Sequence, residues 1–214
     1  MNATKRLLLN AIVSIAALSP LASFAADNST PDQLIRQLSI ETLDAVKSDK
    51  AIQAGDVNKV MELVNTKVMP HVDFQRITSS AVGRFWRQAT PEQKQRLQDE
   101  FKTLLVRTYA GALTQVKDQT IAMKPMRAAP EDTEVVVRTE IRGKGDPIQL
   151  DYRVEKTDGG WKIYDVNVLG IWLADQYRNS FAQEINAKGI DGLIKSLAER
   201  NARPAPAASA AKKG

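Results

Sequence analysis

WKIYDVNVLGIWLADQYRNSF, the stretch Trp161–Phe181, changes its period halfway along. Up to Val168 it is rich in aromatic and β-branched residues (Trp161, Ile163, Tyr164, Val166, Val168), the composition of a strand. Beyond Gly170, Leu173, Tyr177, Phe181 and Ile185 recur every four residues, which puts them on one helical face. A strand that passes into a helix through one glycine folds that helix back across its own sheet. Apolar groups on both arms then face a shared space, and the expectation is that this space receives an apolar ligand instead of closing as solid core.

Working back towards the N-terminus, the period is two. Ile148, Leu150, Tyr152 and Val154 alternate with Gln149, Asp151, Arg153 and Glu155, and Asp158-Gly159-Gly160 forms the turn into Trp161. Thr133–Arg142 alternates Val135, Val137, Thr139 and Ile141 against polar neighbours, and Thr120–Met126, closed by Pro125, is a weaker first strand. Three or four consecutive strands on tight turns make an antiparallel sheet with one wet face, on which Asp151 and Glu155 are expected. In the last strand the phase slips between Ile163 and Tyr164, as a bulge or a covered second face would require.

The first half is helical. Thr30-Pro31-Asp32-Gln33 and Thr90-Pro91-Glu92-Gln93 are helix starts, each with a capping threonine, proline in the first turn and glutamine three residues on. The first helix presents Ile35, Leu38, Thr42 and Val46 and is expected to reach about Ala54. Val57, Val60, Met61, Val64 and Val68 form the next stripe, ended by Pro70. Asp73 reads as the N-cap of a helix from Phe74, and Phe85 and Trp86 as packing residues. The helix after Thr90 carries Leu97, Phe101, Leu104, Leu105, Tyr109, Leu113 and Val116 on its inner face, with Lys94, Gln95, Gln98 and Lys102 opposite. Gly189 separates the long C-terminal helix from a short one carrying Ile190, Leu193, Ile194 and Leu197.

Composition bounds the function. Residues 1–25 read as a secretory signal: Lys5 and Arg6, an apolar run from Leu7 to Leu18 too short to span a bilayer, and Ser23-Phe24-Ala25 as the cleavage site. Residues 26–200 then form one domain, and 201–214, rich in Ala, Pro and Lys, a tail with nothing to bury. Export without any cysteine suits the bacterial periplasm. The 30 basic and 25 acidic residues are interspersed, so no nucleic-acid partner is expected. The single histidine, His71, has no second His or Cys with which to build a metal site or a nucleophilic triad. There is no phosphate-binding or dinucleotide fingerprint, and neither metal nor cofactor is expected. A buried Asp165 leaves open an enzyme that uses it as a base on an apolar substrate. A pure interaction module is a third reading.

Three segments carry a resemblance. VDFQRITSSAVGRFWRQATPEQKQRLQDEFKTLLVRTYAGAL (Val72–Leu113), Trp161–Phe181 and GIDGLI (Gly189–Ile194) resemble the MlaC family of periplasmic phospholipid-binding proteins, also described as toluene-tolerance proteins. The resemblance implies an α+β fold, with a curved antiparallel sheet of about four strands, NTF2-like in form, wrapped by helices around a deep apolar pocket. It implies a monomeric carrier without enzymatic activity. Its ligand would be phospholipid, and its partners an inner-membrane ABC transporter complex and an outer-membrane lipoprotein–porin complex. On this reading the acyl chains are lined by Phe101, Leu105, Tyr109 and Leu113 on the long helix. Val137, Ile141, Leu150 and Tyr152 on the sheet, with Val168, Ile171 and Leu173 from the opening stretch, complete the lining. Leu169 and Trp172 depart from the family pattern, and Trp172 is expected to narrow the pocket or shift its mouth.

Overall fold

The computed structural model describes residues 30–129 and 131–203. The signal segment 1–25 and the tail beyond 203 lie outside the described residues. The described chain opens with helix α1 (Pro31–Ser48), a single turn α2 (Lys50–Gln53) and α3 (Val57–Leu63). A π-helical turn (Val64–Val68) and a 3-10 turn (Met69–His71) lead to α4 (Phe74–Val82), a second 3-10 turn (Gly83–Gln88) and the long α5 (Pro91–Leu113). The strands follow: β1 (Thr120–Met123), β2 (Glu134–Arg142), β3 (Ile148–Thr157), β4 (Gly160–Val168) and β5 (Ile171–Trp172). Helix α6 (Leu173–Ala202) ends the described chain, kinked at Gly189, whose φ of 73° and ψ of 178° favour glycine.

Helices α1, α4 and α5 start where the sequence places them, but the Thr30 hydroxyl donates to Gln33 Oε1 and caps no backbone N–H of α1. Thr90 and Gln93 close a reciprocal capping box on α5, and Asp73 Oδ1 accepts from the Arg76 N–H at 2.8 Å to open α4. Helix α1, however, stops at Ser48 instead of reaching Ala54. The Asp49 carboxylate accepts from the N–H groups of Ala51 and Ile52 and starts a separate turn. Helix α6 runs on through Ala202, and Asn201 Nδ2 donates to Glu100 on α5.

The sheet is an antiparallel meander in the order β1-β2-β3-β4-β5. It has five strands because Leu169-Gly170 is a two-residue hairpin turn, with φ of 52° and 94°, that returns Ile171 and Trp172 to pair with Val168 and Asn167 before the helix begins. The phase slip in β4 is a bulge. Arg153 pairs with Asp165 but Val154 with Ile163, which leaves Tyr164 as the extra residue. Trp161, Ile163, Val166 and Val168 are thereby all brought to the face of Val135, Val137 and Val154.

That face packs beneath α1, where Leu34, Ile35 and Leu38 meet Val135, Val137, Val154 and Ile163. The other face is not simply wet. Arg76 of α4 bonds Glu155 and Glu134 and stacks on the Tyr164 ring at 3.7 Å, and the start of α6 closes over Asp165. Asp151, expected in water, is 6% exposed, set across from Asn167 and accepting from Gln149 Nε2, and Glu155 is half-buried beneath Arg76 of α4. A second core joins α4, α5 and α6 around Phe101, Phe181, Leu97 and Leu193, and a third joins Val46, Ile52, Val60, Val106 and Ala110.

Candidate functional site: an apolar cavity beside α5

Between the last two cores lies an apolar cavity of about 280 Å³, open to solvent along one side. One wall is α5, which presents Leu105, Val106, Tyr109, Ala110 and Leu113. The facing wall is Val60, then Val64 and Val68 of the π turn, with Met69 and Val72 after it. Phe74 and Ile77 of α4 also line it, while Val166 of β4 and Leu173 of α6 join the sheet to the helices. Nearly all of this surface is hydrocarbon. The wall is open to water, so each Å² of it that a ligand covers contributes about 25 cal/mol, and the recess favours an apolar occupant.

Of the expected lining residues, Leu105, Tyr109, Leu113 and Leu173 meet at this cavity. Phe101 instead sits within an aromatic cluster, its ring 5.0 Å from Tyr177, 5.2 Å from Phe181 and 5.9 Å from Phe74. Val137 is fully buried beneath α1, with Tyr152 packed against the same cluster. Ile141, Leu150 and Val168 are half-buried further along this sheet face, and Ile171 is 55% exposed beside the β4–β5 turn. The sheet's contribution is Val166, which the β4 bulge turns inward. The stripe Val60–Val68 was legible as apolar, but its partner was not. The π turn places Val64 and Val68 on the cavity, and such turns recur at functional sites. Lys102, assigned by periodicity to the outer face of α5, also lines it.

Two polar features border the site. The Tyr109 hydroxyl lies 3.5 Å from Gln176 Oε1, and burial pushes its pKa up, with Tyr177 adding to the effect. Asp165 is 2% exposed, and this burial raises its pKa against the pull of the Ala174 and Val166 N–H groups and of Arg153 at 2.9 Å. Its carboxylate caps α6 and does not line the cavity. Trp172 is also turned away from the cavity. It pairs across from Asn167, and the Arg153 guanidinium lies 3.9 Å over its ring. Among the described residues no cluster of three metal-ligating side chains occurs, and no helix is long and apolar enough to cross a membrane.

Comparison with known proteins converges on one group. Residues 36–199 match the family model described as MlaC protein. The toluene tolerance protein ttg2D of Pseudomonas putida is 29% identical over 186 residues, 86% of each chain. The intermembrane phospholipid transport system binding protein of Haemophilus influenzae is 23% identical over 184 residues, covering 84% of this chain and 86% of its own. Among solved structures, the phospholipid-binding protein from Ralstonia solanacearum, in complex with a phospholipid, superposes with a TM-score of 0.78 at 49% identity. That match covers 80% of this chain and 96% of the other.

Proposed function

The chain belongs to the MlaC family, and on that premise we propose that it is a soluble phospholipid carrier whose acyl chains occupy the cavity between α5 and the Val60–Val72 segment. The observation that carries this reading is the cavity itself: an apolar recess, lined from four directions by aliphatic and aromatic side chains, in a chain whose 49%-identical relative holds a phospholipid. At about 280 Å³ it lies near the lower end of the range for small-ligand pockets. Two acyl chains therefore require its walls to separate. The wall before α4 is suited to that, being built of short helical pieces joined at Gly55-Asp56, the π turn and Pro70.

The energetics fit carriage without catalysis. Burial of each methylene is favourable by about 0.8 kcal/mol, so roughly thirty methylenes give some 24 kcal/mol relative to water. A bilayer offers a similar gain, so exchange between bilayer and protein is nearly balanced while escape to water is opposed. Direction is then imposed by partners: an inner-membrane ABC transporter complex and an outer-membrane lipoprotein–porin complex, between which this chain shuttles through the periplasm after loss of residues 1–25. Asp165 serves as a structural carboxylate in this account, and the chain performs no chemistry on its cargo.

The test is vesicle-to-vesicle transfer of a fluorescent phospholipid across a membrane that passes protein but not vesicles. Transfer that rises with protein concentration supports the carrier; a rate equal to the protein-free control refutes it.

A further inference from the structure

Helix α5 turns Lys102, Leu105, Val106, Tyr109 and Leu113 towards the cavity in steps of three and four. The cavity wall is almost wholly apolar, so Lys102 contributes its methylene stem and its ammonium stands at the rim. Among the described residues that ammonium has no ion pair and no hydrogen bond. The carboxylate one turn earlier, Asp99, accepts from Gln95 Nε2 at 3.1 Å instead. Lys102 is the one charged residue on the wall among the described residues. Leu113 lies eleven positions further on, about 16 Å along the helix axis, and packs with Val60 and Val64.

A lysine with its stem in an apolar wall and its charge unpaired at the edge is built to receive an anion attached to hydrocarbon. Resting on the carrier reading above, we propose that Lys102 holds the phosphate of the bound lipid. This contact sets the lipid's direction, with the phosphate at the Lys102 end of α5 and the chain ends towards Leu113. Because every phospholipid carries this phosphate, the contact separates phospholipids from neutral lipids of the same chains and leaves the rest of the headgroup in water.

The experiment loads the full chain and its Lys102→Met, Lys102→Glu and Lys102→Arg variants with two probes: a fluorescent-tailed phosphatidylglycerol and the diacylglycerol of identical chains. Methionine keeps the apolar stem and deletes the charge. Loss of one charged hydrogen bond predicts about tenfold weaker phosphatidylglycerol binding for K102M. K102E binds more weakly still, K102R stays near wild type, and diacylglycerol binding is unchanged in K102M. The wild-type preference for phosphatidylglycerol shrinks with added salt, and that of K102M does not. Unchanged phosphatidylglycerol binding in K102M, or an equal loss of both lipids, overturns the assignment while carriage stands. A wild-type chain that takes up neither lipid overturns carriage and the assignment together.

Discussion

Arg153 Nη1 lies 2.9 Å from Asp165 Oδ2, across the last matched pair before the β4 bulge. The other oxygen of the same carboxylate accepts from the Ala174 N–H, so one ion pair ties the bulge to the first turn of α6. That turn carries Leu173, a cavity residue, and the bulge turns Val166 inward. The pair therefore fixes where sheet and helix meet the cavity.

Removing Arg153 leaves Asp165 buried with only backbone donors. Breaking a buried pair from one side costs about 3 kcal/mol or more. The Arg153 side chain keeps 35% exposure, so Arg153→Met is expected to lower the unfolding free energy by about 2 kcal/mol. Urea unfolding measures this, and R153M/D165N should lose less than the sum of its single variants.

Asp165 also gives stability a pH dependence of unusual sign. Burial holds its folded pKa above the ordinary 3.8, so the folded state binds the proton more tightly than the unfolded chain. The contribution is fully present below the ordinary value and is lost as pH climbs through the raised one. The difference in unfolding free energy between wild type and Asp165→Asn is therefore expected to move against wild type as pH rises across that window. Paired denaturation curves from acid to neutral pH test it, and a constant difference would refute it.

Much of this arrangement is legible in the sequence because it is local. The Thr90–Gln93 capping box, the Asp73 cap and the phase slip at Tyr164 each depend on neighbours within a few residues. What escapes is what another element supplies. Alternation assigns Asp151 to water, yet it is buried, set across from Asn167 of β4 on the second sheet face. Periodicity assigns Lys102 to the outer face of α5, yet that helix is flanked by apolar walls on two sides, with Phe101 facing α6 and Val106 facing α3. The same cause separates Leu105 and Leu113, which reach the cavity, from Phe101, which fills core.

The β4–β5 turn stores strain. Leu169 holds a φ of 52° and is 58% exposed, so it gains no burial for a conformation that asparagine and glycine tolerate better. Leu169→Asn is expected to raise stability by about 1 kcal/mol without altering lipid binding. Thermal unfolding and a lipid-loading assay check the two halves.

Filling the cavity separates folding from carriage. Val166→Phe projects a ring from the sheet into the space between α5 and Val64. Stability is expected to hold or rise by about 1 kcal/mol, as cavity-filling changes commonly do. Phospholipid carried per chain should fall several-fold. A stable variant that still carries a full lipid load would place the acyl chains elsewhere.

The most direct measurement is organic extraction of the protein purified without added lipid, followed by mass spectrometry of the extract against protein concentration. Hydrocarbon chains seated beside α5 predict diacyl phospholipid near one molecule per chain, sharply reduced in Val166→Phe. An extract free of phospholipid, from protein that is folded and has never met detergent, would contradict the account.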